Sequence, residues 1–145
     1  MIQTSTSAFA NARAASAYGR ATKPRADANM IVLLYDGAIG QLAQARAAIL
    51  AGAVEERWRR VRKAAAIVEG LQGCLDHAAG GDVAVLLDRF YNYVGMRLLQ
   101  IDLRNDPAIC DEVMARLGEM RASWSALAGS PPAALPTPRP FAGAA

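Results

Sequence analysis

The stretch DRFYNYVGMRLLQIDLRNDPAICDEV, residues 88–113, decides how the chain folds. Its tyrosines, arginines and carboxylates have the residue types of an acid–base site. Its spacing points elsewhere. Phe90, Val94, Leu98 and Ile101 recur every three or four residues, as the apolar side of a packed helix does. Asn105-Asp106-Pro107 then breaks the period. The Asp106 carboxylate suits the cap of a new helix, and proline at the first helical position gives up an N–H that would have no partner there. Ile109, Val113 and Leu117 resume the rhythm. The stretch is the end of one helix, a tight turn and the start of its antiparallel neighbour: a hinge.

The same rhythm extends in both directions. Asp27 can cap a first helix whose seam runs Ile31, Tyr35, Ala38, Leu42, Ala45 and Ile49, with Gly52 as terminator. A second opens on Glu55 and Glu56, acids where the helix dipole favours them. Its seam is Trp58, Val61, Ala65, Val68, Gln72 and Leu75, and Gly80-Gly81 is expected to end it. Asp82 then starts the third, with Val83 and Leu87 ahead of the residues already named. The fourth continues through Met120, Trp124 and Leu127.

Four such helices with short links predict an all-α fold, an antiparallel four-helix bundle over residues 27–128. A flexible, partly helical N-terminal arm (residues 1–26) precedes it. Residues 129–145, with five of the seven prolines, are expected to form a disordered tail.

Composition narrows the function classes. The chain is 53% hydrophobic but only 6% aromatic, rich in the alanine and leucine that favour helices. At 145 residues it can bury about 70% of its unfolded surface, enough for a real core. The net charge of +3 divides unevenly. Arg13, Arg20, Lys23 and Arg25 lie in an arm without acids, whereas residues 27–128 hold 11 basic and 13 acidic side chains. The predicted folded body is slightly acidic, which argues against a nucleic-acid-binding domain. Cys74 and Cys110 lack CxxC spacing and fit a reducing cytoplasm. No run has the apolar length of a membrane span or signal peptide.

Candidate chemistry is sparse. His77 is the only histidine, so the Glu-x-x-His pairs of a bundle metal site cannot be assembled, and no glycine-rich phosphate loop or haem motif is present. No catalytic residue, metal or cofactor is assigned. The run ERWRRVRKA carries five basic residues between Arg57 and Lys63. It reads as a solvated helix face with Glu55–Arg59 and Glu56–Arg60 pairs, as a contact for an acidic protein, or more weakly as a nucleic-acid patch.

More informative is an excess of apolar positions. The second helix carries Ala64, Ile67, Leu71, Cys74 and Ala78 beside its seam, and the third carries Leu86, Tyr93 and Met96. These either widen the core, pair two copies, or form an exposed groove for a partner's amphipathic helix. On the last reading the groove is Ile67, Leu71, Leu86, Tyr93 and Met96. The competing class is a self-associating helical structural or nucleic-acid-associated module.

One further pattern is specific. Leu34-Tyr35-Asp36-Gly37, Leu75-Asp76, Gly80-Gly81, Tyr91-x-Tyr93, Arg97-Leu98, Asn105-Asp106, Glu112-Val113 and Trp124 occur in an order and spacing that resembles the flagellar secretion chaperone family, FliS, over roughly residues 27–127. Two features depart from that family's pattern. Ala26-Asp27 stands where the family has a Ser/Thr-Pro pair, and Gly95-Met96 where it has the first of two arginines. The resemblance implies a cytoplasmic helical bundle that holds the C-terminal segment of flagellin, blocks premature polymerisation and delivers it to the export apparatus. It implies a one-to-one complex, a monomer or weak dimer without client, and no insertion into the membrane. It also implies that Tyr18 in the arm docks on the cytoplasmic domain of an export-gate membrane protein; the alternative is that Tyr18 folds back as a lid over the groove.

Overall fold

Capping residues set where the helices begin. The computed structural model describes residues 17–22 and 27–129. Its main elements are α1 (Ala28–Leu50), α2 (Val54–Gly73), α3 (His77–Arg104) and α4 (Pro107–Ala128). The Met30 amide donates to Asp27 Oδ1 at 2.8 Å, and the Ala108 amide to Asp106 Oδ1 at 2.9 Å, so both expected aspartate caps are in place. Gly52 takes the left-handed φ of 70° that turns α1 into α2. At the hinge, Asn105 adopts φ 54° and closes α3, and Pro107 opens α4.

The link between α2 and α3 differs from the sequence expectation. α2 ends at Gly73, and Asp76, not Asp82, caps the next helix by accepting from the Ala79 amide at 3.0 Å. Gly80-Gly81 is not a terminator of α2. Gly81, at φ 52° and ψ −128°, kinks α3 after its first turn.

The four helices form an antiparallel bundle, with α1 closest to α2 and α4 and with α3 standing further off. Side-chain size explains the asymmetry. Ala38, Ala45 and Ala48 on α1 and Ala64 on α2 are buried and let backbones approach, whereas α3 contributes Leu87, Tyr91, Leu98 and Ile101. Inside the core the Tyr35 and Tyr91 hydroxyls share a hydrogen bond of 2.8 Å. Each buried hydroxyl is therefore satisfied by the other.

In α1 and α4 most of the expected seam is buried, with Ile49, Met120 and Leu127 at its edge. In α3, Ala84 and Tyr91 replace Val83 and Phe90 inside. α2 is rotated by one residue. Arg57, Val61, Ala64, Val68 and Leu71 face inward, while Trp58 is 55% exposed. Arg57 can hold an inner position because its Nη1 donates to Asn105 Oδ1 at 2.7 Å and its Nε faces Asp102 Oδ1 at 3.5 Å. Of the two expected pairs on α2, Glu56–Arg60 forms at 2.6 Å, and Arg59 pairs with Glu56 rather than Glu55.

Part of the N-terminal arm lies on the bundle. Residues 17–21 are helical, Ala21 is fully buried, and its carbonyl accepts from the Asp76 amide at 2.7 Å. Gly80 makes room for it: a Cβ there would lie 2.5 Å from the Ala21 Cα. The Tyr18 ring packs on Trp124 with centroids 5.4 Å apart. Residues 17–22 are thus packed where the sequence suggests flexibility. The rest of the arm and the proline-rich tail from residue 130 lie outside the described residues.

Candidate functional site

One departure from close packing among the helices lies between α2 and α3. Two polar bridges define its ends. At one, Gln72 Nε2 donates to Asp88 Oδ1 and to Asn92 Oδ1, both at 2.8 Å. At the other, Arg62 Nη2 donates to Asp102 Oδ2 at 3.1 Å. Between them Ala65 and Gly95 face each other with little side chain to fill the gap, and no atom lies within 4 Å of where a Gly95 Cβ would be. The result is a groove of about 260 Å³, floored by Val68, Tyr91 and Leu98 and flanked by Glu69 and Leu99.

Exposed apolar side chains continue this groove lengthwise. Trp58 lies one turn before Arg62 on α2, and Leu103, 83% exposed, lies one turn after Leu99 on α3. Val85 precedes Asn92 by two turns on the same side of α3, and Met96 stands next to Gly95 on the outer side. Isolated exposed leucines are ordinary on a protein surface; here several stand in a row beside an open groove.

The five residues that the sequence nominates for a groove do not converge. Leu71 is 2% exposed and belongs to the core, so it offers no surface to a partner; it occupies the inner seam because α2 is rotated. Ile67 is half-buried on the opposite side of α2, where its Cδ1 packs over Gly37 of α1. Leu86 and Met96 are exposed on α3. Tyr93 turns toward α4, where its hydroxyl donates to Glu112 Oε2. Sequence reasoning missed Trp58, Ala65, Leu99 and Leu103. The available signal was that Leu99 and Leu103 follow Met96 at helical spacing with no role in the expected seam.

Around Tyr93 the structure forms a clasp between α3 and α4. Arg97 donates to both carboxylate oxygens of Glu112, at 2.6 and 2.8 Å. The hydrogen bonds from Arg97 first and Tyr93 second hold the Glu112 carboxyl below its ordinary range. The same Glu112 bond pushes the Tyr93 phenol up.

Tyr18 lies on the other side of α3. With Phe90, Arg116, Glu119, Met120 and Ser123 it lines a second depression, of about 340 Å³, between α3 and α4. Nothing in either place resembles catalytic machinery. Burial pushes the Cys110 thiol up to about 11, away from nucleophilic reactivity, and no trio of metal-ligating side chains converges among the described residues.

Comparison with known proteins decides the family. The model of the family described as "Flagellar protein FliS" matches residues 10–131. The chain belongs to the FliS family. The chain is 38% identical over 104 residues to the flagellar secretion chaperone FliSB of Pseudomonas aeruginosa, covering 70% of this chain and 82% of that one. It is 36% identical over 96 residues to flagellar secretion chaperone FliS of Salmonella typhimurium, covering 66% and 71% respectively. The corresponding protein of Vibrio cholerae is 33% identical over 95 residues, covering 66% and 70%. All three matches exceed the length of any single helix in the bundle, so the FliS resemblance read from scattered motifs holds across the fold. No helix among the described residues is long and apolar enough to cross a membrane.

Proposed function

We propose that this chain is a flagellar export chaperone that sheathes the C-terminal amphipathic segment of flagellin, keeps it from polymerising and presents it to the export apparatus from the cytoplasm. The observation that carries the reading is the α2–α3 groove, open over Gly95 and flanked by Leu99, with exposed Trp58 and Leu103 one turn further along their helices. Its depth and apolar edges suit a helix laid lengthwise. Burial of apolar surface drives capture, so neither nucleotide nor metal is assigned a part. Binding a disordered segment costs ordering entropy, and an extended, mostly apolar contact is the physical means of offsetting it. The reading contains no catalytic step. Homologues that are named flagellar secretion chaperones support it.

The test is Leu99→Glu. This side chain is exposed and takes no part in the core, so helical circular dichroism and thermal unfolding should be unchanged. Its complex with a flagellin C-terminal peptide, seen as a one-to-one species by size-exclusion chromatography, should be lost. Retention of that complex at wild-type affinity would rule out the groove as the client site. Self-association at low micromolar concentration without peptide would favour the structural-module reading instead.

For Tyr18, the seat against Trp124 lies over the α3–α4 depression and not over the α2–α3 groove, which supports a lid on that second surface; docking on the cytoplasmic domain of an export-gate protein is the alternative reading. On the lid reading the segment is seated when the client is absent and is displaced only by a client that extends from the groove onto the α3–α4 face.

A further inference from the structure

The two ends of the α2–α3 groove differ in charge, and a helix has charged ends too. At one end Glu69 is exposed, lines the groove and makes no ion pair among the described residues. Asp88 stands across from it, bonded only to the neutral Gln72 amide. Among the described residues the cations of this end are Arg89, on the outer side of α3, and Arg20, in the segment whose Ala21 and Thr22 meet Asp76 and Leu75; Asp76 and Asp82 add acids there. At the other end Arg57 and Arg62 share a single carboxylate, Asp102, at 3.5 and 3.1 Å, leaving an excess of one positive charge. Lys63 adds a second, exposed and unpaired among the described residues; Glu55 is the nearby acid without a partner. Glu56 is taken up by Arg59 and Arg60.

From Trp58 to Gln72 the groove follows 14 residues of α2, about 21 Å or four helical turns. A helix of that length carries roughly half a positive charge at its N-terminus and half a negative charge at its C-terminus. Seated one way, each end meets its opposite; seated the other way, each meets its like. We propose that the groove accepts its helix in one direction, N-terminus at the Glu69–Asp88 end and C-terminus at the Trp58–Arg62 end. The bound helix then runs parallel to α3 and antiparallel to α2. The partner chemistry follows: an amphipathic helix of about four turns with acidic residues in its last turn. This inference rests on the reading that the groove receives a client helix, and adds its polarity.

Direction is read by paramagnetic broadening. A flagellin C-terminal peptide carries a nitroxide at one end or the other, and the amide signals of the full-length chain are recorded. Expected is broadening of Glu69, Gln72 and Asp88 by the N-terminal label, and of Trp58, Arg62 and Leu103 by the C-terminal label. The reverse pattern overturns the proposed direction and leaves the groove as client site. Broadening confined to Phe90, Met120 and Ser123, or none, overturns both.

A second measurement uses Glu69→Lys, an exposed substitution that breaks no bond. Peptide affinity should fall roughly three- to ten-fold at low salt, and the difference should shrink at high salt as the charges are screened. Affinity equal to wild type at low salt would sink the electrostatic argument.

Discussion

At the scale of single residues, the hydrogen bond between Tyr35 and Tyr91 carries the most consequence for stability. Both rings are enclosed by the core, so neither hydroxyl has water as a substitute. Tyr35→Phe removes one partner and leaves the other hydroxyl unpaired, at a cost of about 1–3 kcal/mol. Tyr91→Phe should cost a similar amount. The double substitution should cost less than the sum, because no orphan remains; denaturant melts of the four species in a mutant cycle check this. The same burial predicts an alkaline limit. Desolvation pushes the Tyr91 phenol up to about 12 and pushes Tyr35 up as well. A phenol whose folded pKa exceeds its unfolded one stabilises fully below the unfolded value, near 10, and loses that contribution as pH rises towards the folded value. Wild type should therefore lose stability between about pH 10 and 12, and Tyr91→Phe should flatten that limb. An unchanged limb in the variant would place the sensitivity elsewhere.

At the scale of elements, α1 and α4 were legible from periodicity because their inward residues are almost all apolar. α2 was not. A pattern search treats Arg57 as outward and therefore chooses Trp58, yet Arg57 reaches Asn105 and Asp102 with its aliphatic stem packed inward. The one-residue rotation that follows moved Leu71 from the imagined surface into the core and moved Trp58 out. α3 misled in a milder way: Tyr91 scores as less apolar than Phe90 but goes inside because Tyr35 waits there with a hydroxyl. The candidate site was legible as an excess of apolar residues on α2 and α3, and illegible in location, since rotation of α2 decides which residues share a face. The seat of residues 17–22 depends on a single missing methyl group. Gly80→Val would drive side-chain atoms into Ala21 and press on Ala84 at the start of α3, so the segment should lift while the four helices stay folded at some loss of stability. Tyr18 would then leave Trp124, altering Trp124 fluorescence, and on the lid reading client affinity should rise. Unaltered fluorescence would show that the segment is held by contacts other than this close approach.

At the scale of the whole molecule, the proposed function raises the question of how much of client capture one groove would supply. Fully burying a large apolar side chain is worth about 1.5–3 kcal/mol, so Trp58, Leu99, Leu103 and the already half-covered groove floor supply roughly 6–10 kcal/mol. Ordering a disordered client takes back about 2–5 kcal/mol or more. The net, roughly 1–8 kcal/mol, corresponds to dissociation constants no tighter than about a micromolar. A tighter complex needs contact beyond the groove, and the depression lined by Tyr18, Phe90 and Met120 on the far side of α3 offers further, partly apolar surface. Gly95 separates the groove's share from the rest. It sits inside α3 with empty space over its Cα, so Gly95→Ala should fit and stabilise the helix by about 0.5–1 kcal/mol, raising the melting temperature. Gly95→Leu should also fold, because its side chain enters the groove and not the core, yet it would occupy the space that the proposed function gives to a client side chain. Calorimetric titration with a flagellin C-terminal peptide should show Gly95→Ala binding within a few-fold of wild type. Gly95→Leu should lose the groove's share and keep only what the other face of α3 provides. Equal binding by wild type and Gly95→Leu would mean that the groove is a packing defect of the isolated bundle, and that client capture belongs wholly to the surface that Tyr18 covers.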